Sequence, residues 1–387
     1  MSNETNLSLF ERRVGRREFL GLGALAGGSF LLAACGGGSS GAEGGSGSTD
    51  GVTAPMHPPI GQEPGKLQVY DYAGYEVKPL WRQYAKEHPD DPPKWKFLNS
   101  DAEALSTTVA GYRADVVHPC SAYFKRWVDG ELLEPFDTSL ITNFADLNPE
   151  LVKSGQFNGK QYVIPTDWGF ISVLYRTDKV EPEEMSWSLL FDKRYAGKIT
   201  WYDNPADMLN IGGYVIGADD PFNMTDEELD AVKALFIEAK PAVRNLWNAQ
   251  TDMENDFAAG NVWITYAWPS SWVGMKAKGL QVEYMEPKEG RLAFNCGFSL
   301  FAGTENWHHA HQYVDAWASP ESGLWLVNNY AYGHSNTKID LDQVDAALVS
   351  AFELKDPSAI AEPKVHILRY NPRQTDYDKV WQEIKAA

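Results

Sequence analysis

The sequence predicts an α/β fold in which mostly parallel strands alternate with helices. Short runs of β-branched and aromatic residues alternate along the chain with segments whose apolar residues follow helical spacing. Glycine or proline stands at many of the junctions between them. Strands that alternate with helices are typical of sheets covered by helices. About 320 residues follow a basic and Gly/Ser-rich start, which is enough for one large domain or two lobes.

The first half of this region contains three predicted strands and three predicted helices. The apolar residues of EVKPLWRQYAKEH repeat at helical spacing, and Gly111 and Gly130 stand where two helices should stop. The predicted strands are KLQVYDY (66–72), WKFL (95–98) and ADVVHP (114–119), and the predicted helices are 76–88, 101–111 and 122–130.

The second half continues the alternation. Thr225 and Glu228 form a capping-box pattern that predicts the start of a helix ending before Pro241. Gly260 has the position of a helix C-cap, and a strand follows it. Further helices are predicted at 251–260, 306–320 and 376–387, and the strand NVWITYAW at 261–268. Ligands of open α/β sheets bind at the carboxyl ends of the strands, which is where functional residues are expected.

Residues 1–34 have the features of a bacterial export signal. Arg12, Arg13, Arg16 and Arg17 precede an apolar stretch from Phe19 to Ala34. That stretch is shorter than the ~20 residues that a membrane-spanning helix needs, so a transmembrane anchor is the less favoured alternative. Arg16 and Arg17 resemble a twin-arginine signal, but Gly15 stands where that pattern has Ser or Thr, so Tat and Sec export both remain open.

The apolar stretch ends in LAAC, which resembles a lipobox with Cys35 as the lipidated residue. Residues 35–65 are rich in Gly and Ser, a composition that forms flexible linkers and cannot bury a core. The sequence therefore predicts a domain tethered by lipid in the periplasm, or at the outer face of the cytoplasmic membrane.

The composition bounds the ligand classes. The formal net charge of −19 repels nucleic acid and favours cations, although solubility alone also explains it. The chain is rich in aromatic residues, with 14 Trp and 18 Tyr. Besides Cys35 there are two cysteines, Cys120 and Cys296, and their pairing is left open because two cysteines define no disulfide framework.

Aromatic residues stand beside carboxylates or hydroxyls after several predicted strands. Examples are DYAGYE after the first strand and WYDNPADM after a later one. Aromatic faces attract organic cations, and a carboxylate adds a charge-assisted hydrogen bond. The recurrence of this pairing predicts a site for an amine, whereas any one of these residues by itself is also compatible with simple packing.

From residue 66 to 387 the chain resembles the periplasmic spermidine/putrescine-binding proteins of bacterial ABC transporters. The segments that carry the resemblance are VYDYAGYE, ADVVHPCSAY, FNGKQYVIPTDWGFISVLYRTDKV, YDNPADML, YAWPSS and NNYAYGHSN. The resemblance implies a two-lobed periplasmic binding protein fold with a ligand cleft between lobes. It implies one lobe at 66–168 and 295–340 and the other at 169–294 and 341–387, with no cofactor or metal. The implied partners are a small cationic amine and the permease subunits, and the protein is expected to be a monomer.

Ligand-binding positions follow from the same motifs. The residues expected to line the cleft are Tyr72, Tyr75, Ser121, Tyr123, Asp167, Trp168, Asn204, Asp207, Trp268, Cys296 and Tyr332. Two of them depart from the family's pattern, since Asn204 and Cys296 stand where acids are expected. Asp167, Asp71 or Asp203 could supply the missing charge. A polyamine is thus the leading ligand, and a monoamine or quaternary ammonium compound is the alternative.

Three other classes are less well supported. Residues 66–387 lack the motifs GxSxG, HExxH, Walker A and GxGxxG, so no enzyme class is indicated. His308, His309 and His311 lie on a predicted helix away from the strand ends, which favours a solvated face over a zinc site. A ferric-ion carrier that uses Tyr330 and Tyr332, and a pure adhesion lipoprotein, are the remaining alternatives.

Overall fold

The computed structural model describes residues 57–351 and 364–387. The predicted export signal with Arg16 and Arg17, the predicted lipidation site Cys35 and most of the predicted tether lie outside the described residues. Among the helices that are described, none combines the length and the apolar character required to cross a bilayer.

The described chain alternates strands and helices, as the sequence predicts. The strands are β1 (Gln68–Tyr72), β2 (Lys94–Leu98), β3 (Val116–Val117), β4 (Leu133–Glu134), β5 (Gln156–Phe157), β6 (Lys160–Gln161), β7 (Ile164–Arg176), β8 (Ile199–Tyr202), β9 (Val243–Trp247), β10 (Ile264–Ala267), β11 (Val282–Tyr284), β12 (Arg291–Phe301), β13 (Gly333–His334) and β14 (Val365–Ile367). The α-helices are α1 (Arg82–Glu87), α2 (Asp101–Val109), α3 (Phe124–Asp129), α4 (Pro149–Ser154), α5 (Pro205–Ile216), α6 (Asp226–Ala239), α7 (Gln250–Ala258), α8 (Pro269–Ala277), α9 (Trp307–Trp317), α10 (Pro320–Tyr330), α11 (Ala346–Ala351) and α12 (Gln374–Ala386).

The main sheet has two parallel parts joined by an antiparallel pair. Its strand order is β2-β1-β3-β12-β7-β10-β8-β9. Strand β1 pairs in parallel with β2 and β3, and β8 pairs in parallel with β9 and β10. Between these parts, the long strands β7 and β12 pair antiparallel over most of their length. Strand β12 also contacts β3 and β7 contacts β10, so both long strands belong to both parts of the sheet.

Buried side chains cover both faces of the first parallel part. Val69 and Val116 belong to one hydrophobic cluster, whereas the next residues, Tyr70 and Val117, belong to another. Successive side chains of a strand point to opposite faces, which explains the division. A third cluster surrounds β7, β8 and β10 and includes the buried Trp201. The carboxyl ends of the parallel strands are therefore held by packed cores on both sides.

Most predicted helices form where the sequence indicates. Helix α6 begins with a complete capping box, in which the Thr225 and Glu228 side chains each bond the other residue's backbone N–H. The first predicted helix differs, because residues 78–81 form a 3-10 turn before α1. Pro79 lies in that first turn and has no N–H to donate, which favours a short tight turn over a regular helix.

The last residues of the predicted tether contact the body instead of remaining free to residue 65. The His57 ring stacks on Trp307 with centroids 4.8 Å apart. The Glu63 carboxylate accepts the backbone N–H groups of His308 and His309 at 2.5 and 3.0 Å. Helix starts leave such N–H groups unpaired, and the α9 N-cap residue Asn306 supplies no side-chain bond. Glu63 thus caps α9, a role that composition could not reveal.

Candidate functional site

Aromatic and acidic side chains from both parallel parts of the sheet form what we call the outer cluster. Its members are Tyr72, Asp101, Tyr202, Asp207 and Trp268. Tyr72 ends β1, Tyr202 ends β8, and Trp268 directly follows β10. All five are partly exposed except Asp207, which is 7% exposed.

Asp101 is held at the start of α2. The Tyr72 hydroxyl donates to Asp101 Oδ2 at 2.9 Å, and the Cys120 N–H donates to Asp101 Oδ1 at 3.0 Å. Ser100 caps the helix, so Asp101 falls in the first turn, where a negative charge is favoured. These two bonds aim the Asp101 carboxylate toward the turn that follows β3.

Asp207 occupies the first turn of α5 in the other part of the sheet. Its Oδ2 accepts the Tyr266 hydroxyl at 2.7 Å. The Asn204 side chain accepts the Asp207 N–H at 3.2 Å and caps the helix. The amide of Asn204 is therefore engaged in positioning Asp207.

Four aromatic rings surround the Asp207 side of the outer cluster. Tyr202 stacks on Trp247 and on Tyr266 with centroids 4.5 and 5.2 Å apart, and Trp268 packs edge-on to Tyr202 at 5.3 Å. The buried Trp247 Nε1 has no hydrogen-bond partner among the described residues. An aromatic wall of this kind can bind an organic cation through its faces.

Burial raises the pKa values of both outer carboxylates, and the charge of Asp207 also acts on Asp101. Burial raises the pKa of Asp207 to about 6, although the hydrogen bond from the Tyr266 hydroxyl by itself lowers it. Burial also raises the pKa of Asp101 to about 6, and the charge of Asp207 adds to that increase. Among the described residues, neither carboxylate forms an ion pair with Lys, Arg or His within 4.0 Å. A cation bound near these two carboxylates would favour their ionised forms and so lower both pKa values.

A second group, the inner cluster, lies behind Tyr72 and consists of Asp71, Tyr75, His118 and Asp167. His118 Nδ1 lies 2.8 Å from Asp71 Oδ1, and Nε2 lies 2.8 Å from Asp167 Oδ1. The Tyr75 hydroxyl donates to Asp167 Oδ2 at 3.0 Å. His118 and Asp71 are fully buried, and Asp167 is 1% exposed.

The surroundings of His118 favour its positively charged form. Two ionised carboxylates only accept hydrogen bonds, which suits an imidazolium whose two nitrogens both donate. Burial lowers the pKa of His118, but Asp71 and Asp167 outweigh burial and raise it to about 10. Burial raises the pKa of both acids and His118 lowers it. At Asp167 the influence of His118 and of the hydrogen bonds is larger, so the pKa is lowered, whereas at Asp71 burial is larger and the pKa is raised.

Tyr332 contacts residues that neighbour each cluster. Its ring packs edge-on to Phe294 at 5.1 Å, and its hydroxyl lies 3.3 Å from Ser270 Oγ, two residues after Trp268. Tyr330 lies between Tyr332 and Tyr75, at 6.1 and 5.8 Å. The structure thus brings the predicted Tyr72, Tyr75, Asp207, Trp268 and Tyr332 into one continuous region.

The pairing of the cysteines, which the sequence left open, is a disulfide between Cys120 and Cys296. Cys296 is 4% exposed and pairs with Asp167 across β12 and β7. Cys120 Sγ lies 3.8 Å from the Tyr72 hydroxyl. The disulfide therefore backs the site, and Cys296 offers neither a thiol nor a negative charge to a ligand.

Other predicted residues have structural contacts. Trp168 is 2% exposed and packs against Gly333, and its Nε1 donates to the His334 carbonyl at 3.3 Å. The Ser121 hydroxyl donates to the Leu368 carbonyl, which links the turn after β3 to the C-terminal segment. Tyr123 is partly exposed and lies under the Arg126 guanidinium at 5.3 Å.

Each of the three acids considered as substitutes for the missing charge already has a cationic partner within the protein. Asp71 and Asp167 bond His118. Asp203 accepts Trp381 Nε1 at 2.6 Å and pairs with Lys385 at 3.1 Å.

Asp101 and His118 are the functional candidates that sequence reasoning missed. Asp101 was assigned only to a helix start and His118 only to a buried strand end. His118 directly precedes Pro119 and Cys120 in a segment already tied to the cleft, a signal that could have drawn attention to it.

The histidines on α9 do not form a metal site within the described residues. Among all the residues that the structure describes, no group of three or more His, Cys, Asp or Glu side chains could hold a metal ion. His311 donates through Nδ1 to the Trp307 carbonyl at 2.7 Å and accepts the Asp137 N–H at 3.1 Å. Both ring nitrogens of His311 are therefore used within the fold.

Solved structures share this architecture. A putative spermidine/putrescine ABC transporter protein from Listeria monocytogenes superposes with a TM-score of 0.72 at 18% identity, covering 82% of this chain and 98% of that one. The protein MotA from Agrobacterium tumefaciens B6, in complex with glucopine, superposes with a TM-score of 0.67 at 16% identity, covering 83% and 99%. The two-lobed α/β fold expected from the sequence is confirmed by these neighbours.

Sequence comparisons agree with the fold. The putrescine-binding periplasmic protein PotF of Escherichia coli is 23% identical over 355 residues, which cover 84% of this chain and 93% of that protein. The family model of bacterial extracellular solute-binding proteins matches residues 90–351. The proteins of this family bind solutes outside the cytoplasm for ABC transporters. The chain belongs to the bacterial extracellular solute-binding protein family.

Proposed function

We propose that this protein captures an organic amine at the outer cluster and delivers it to the permease of an ABC importer. The observation that carries the proposal is the pair of carboxylates, Asp101 and Asp207, that approach from the two parts of the sheet. Neither has a cationic partner among the described residues within ion-pair distance. The Tyr72 hydroxyl bonds Asp101, and the rings of Tyr202 and Trp268 pack against each other beside the Tyr266–Asp207 pair.

An ammonium group suits this site for two reasons. It can donate a charge-assisted hydrogen bond to each carboxylate. Its positive charge also favours the ionised form of both acids, whose pKa values are raised to about 6. A neutral solute would leave two partly buried carboxylates without compensation.

A polyamine of the spermidine or putrescine type is the first candidate ligand. The names of PotF and of the Listeria protein support it, although both are less than 25% identical to this chain. The complex of MotA with glucopine shows that proteins of this shape also bind other ligands. A monoamine or quaternary ammonium compound is therefore the alternative, and a ferric carrier that uses Tyr330 and Tyr332 is less favoured.

In this proposal, the protein works as a lipid-anchored monomer in the periplasm or at the outer face of the cytoplasmic membrane. Residues 66–168 and 295–340 form one lobe, and 169–294 and 341–387 form the other. The lobes close on the ligand by bending near Trp168 and Phe294, within the two long strands. Small-angle scattering should show a smaller radius of gyration when an amine is bound.

The test is a thermal-shift screen of amines, amino acids, quaternary ammonium compounds and ferric iron. A ligand at 100 times its dissociation constant adds about 2.7 kcal/mol of stability. Stabilisation by amines that is lost in Asp207→Asn supports the proposal. Stabilisation by neutral sugars or amino acids alone, or a visible absorption band with ferric iron, would refute it.

Lipid anchoring is tested separately. Cys35→Ser should leave the protein without acyl chains, because the thiol is the predicted attachment point in LAAC. Mass spectrometry of the membrane fraction measures this, with Cys120→Ser/Cys296→Ser as the control that keeps Cys35. Acyl chains on the Cys35→Ser protein would contradict the anchor.

A further inference from the structure

The turn that follows β3, residues 119–121, is fixed to β12 by a disulfide at a point where the sheet is interrupted. Strand β3 itself pairs with β12, but Pro119 has no N–H with which to continue the ladder. Pairing resumes at an isolated bridge between Cys120 and Cys296, the two residues that the disulfide joins. Two backbone hydrogen bonds of 2.8 and 3.1 Å flank this bridge. The turn is thus held by a covalent bond and a single bridge, and not by a continuous strand.

The same turn donates a hydrogen bond to the outer cluster. The Cys120 N–H donates to Asp101 Oδ1 at 3.0 Å, and the Tyr72 hydroxyl donates to Asp101 Oδ2 at 2.9 Å. Cys120 Sγ lies 3.8 Å from that hydroxyl. Cys120 therefore contacts the Asp101 carboxylate directly through its N–H, and its sulfur contacts the other group that holds this carboxylate.

The Cys120 N–H also affects the charge of Asp101. Burial raises the pKa of Asp101 to about 6, and the hydrogen bond from the Cys120 N–H acts in the opposite direction. If this N–H moved away, the carboxylate would lose a donor and its pKa would rise further, so less of it would be ionised at neutral pH. The position and the charge of Asp101 thus depend on the same bond.

We propose that the Cys120–Cys296 disulfide is a positioning element of the binding site, because it fixes the turn whose Cys120 N–H holds Asp101, and that only the oxidised protein binds an amine with full affinity. The consequence for binding rests on the proposed function, whereas the effect on Asp101 requires no ligand.

The redox step is a thiol–disulfide exchange. The two cysteine thiols transfer two electrons and two protons to a second disulfide, on a protein or a small molecule, which becomes two thiols. Disulfides persist outside the cytoplasm, whereas cytosolic thiols are kept reduced. In this proposal, the protein therefore reaches its full affinity only after export.

The first test measures the pKa of Asp101 without a ligand. Carboxyl ¹³C NMR follows the titration, and the Asp101 resonance is identified by its absence in Asp101→Asn. With the disulfide intact, the pKa should be about 6. In Cys120→Ser/Cys296→Ser it should rise to about 7, since a hydrogen bond to a charged group shifts such an equilibrium about tenfold. Asp207 is the internal control, because Tyr266 holds its carboxylate, and it should keep its pKa of about 6.

The second test measures the affinity for putrescine and for tetramethylammonium by calorimetry at about pH 7. Loss of the disulfide should weaken binding about tenfold, and so should Asp101→Asn. The two changes should not add, because the carboxylate is already displaced when the disulfide is absent. Asp101→Asn should then cost less than about threefold in Cys120→Ser/Cys296→Ser.

Reduction of the wild-type protein provides a matched comparison. Dithiothreitol gives two electrons and two protons to the disulfide and forms its own cyclic disulfide. Cys120 is partly exposed, so its sulfur is open to attack. The reduced protein should bind as weakly as Cys120→Ser/Cys296→Ser, and the same treatment should leave that variant unchanged.

Two results would overturn the inference. One is an unchanged Asp101 pKa in folded Cys120→Ser/Cys296→Ser, because a disulfide that only restricts the unfolded chain does not alter this pKa. The other is an equal cost of Asp101→Asn with and without the disulfide. If the variant does not fold, the same titration on folded, reduced wild-type protein decides in the same way. If neither ligand binds while the Asp101 pKa rises as expected, the proposed function fails and the positioning of Asp101 by the disulfide stands.

Discussion

The inner and outer clusters both combine acidic and aromatic side chains, yet they differ in what balances the charge of the acids. In the inner cluster, Asp71 and Asp167 each lie 2.8 Å from a nitrogen of His118. In the outer cluster, Asp101 and Asp207 are held by hydroxyl and N–H groups that carry no charge. Tyr72 belongs to the boundary, since its ring contacts His118 and its hydroxyl bonds Asp101.

This difference separates a structural role for the inner cluster from the binding role that we propose for the outer cluster. A buried carboxylate with a permanent cation is part of the fold, and removal of the cation is costly. A carboxylate without one has a raised pKa and gains most when a cationic ligand arrives. Changes in the inner cluster should therefore act first on stability, and changes in the outer cluster first on affinity.

The largest effect is expected for His118→Phe. The substitution keeps an aromatic ring but leaves Asp71 and Asp167 buried without a cation, which should lower the free energy of unfolding by about 3–5 kcal/mol. Urea unfolding followed by tryptophan fluorescence measures this, with His309→Phe as the control. A loss no larger than that of the control would mean that the inner cluster carries no such charge pair.

The same histidine should make the wild-type protein sensitive to alkali. Its pKa is raised from the ordinary value of about 6.5 to about 10. The stability it contributes is fully present below the lower value and is lost as the pH rises through the higher one. The difference in melting temperature between wild type and His118→Phe should therefore shrink at high pH, and a constant difference would contradict the assignment.

Asp207→Asn should show the opposite pattern. The loss of a charge-assisted bond should weaken amine binding by about 1.5–3 kcal/mol, or tenfold and more. Stability of the empty protein should not fall, because the buried carboxylate has no cation to lose. Calorimetry and urea unfolding measure the two effects. The control is Asp203→Asn, since Asp203 bonds Trp381 and Lys385. Equal affinity losses in both variants would break the comparison.

The affinity for a cation is also expected to depend on pH. Asp101 and Asp207 have pKa values raised to about 6, so both are mostly protonated at pH 5 and ionised at pH 7. Since a cation binds the ionised form, affinity should rise with pH over this range, by about tenfold for each carboxylate that must ionise. Tetramethylammonium is a suitable ligand because its own charge does not titrate. An affinity that falls with rising pH would refute the outer cluster as the cation site.

Trp268→Ala should have the smallest of these effects. Removal of its ring deletes one face of the aromatic wall, and cation–π contacts contribute about 0.5–2 kcal/mol. Calorimetry with the ligand found in the screen measures the loss. Trp263→Ala is a matched control, because its Nε1 bonds the Gly260 carbonyl and its ring contacts Lys198 instead of the cluster. Unchanged affinity in Trp268→Ala would exclude this ring from the site.

Prediction from sequence worked best where the signal is local. The capping box of Thr225 and Glu228, the helix stop at Gly111 and the alternation of strands and helices all depend on neighbouring residues. For the site, prediction from sequence could not separate the two clusters, because it assigned Tyr75 and Asp167 to the same ligand-binding set as Tyr72 and Asp207. These residues share the same pattern of aromatic beside acid, and nothing within each segment distinguishes an acid that has a partner from one that does not.

The sequence by itself determined the α/β architecture, the segments that reach the carboxyl ends of the strands and the kind of chemistry that they carry. Only the tertiary structure decided how the charges are matched. His118 is 47 residues from Asp71 and 49 from Asp167, and Cys120 is 176 residues from Cys296. These pairings arise because the sheet brings distant segments together. Strand β1 pairs with β3 in parallel, and β12 pairs antiparallel with both β3 and β7. The electrostatic difference between Asp167 and Asp207 is likewise a property of what surrounds each carboxylate after folding, because burial and partners set its pKa.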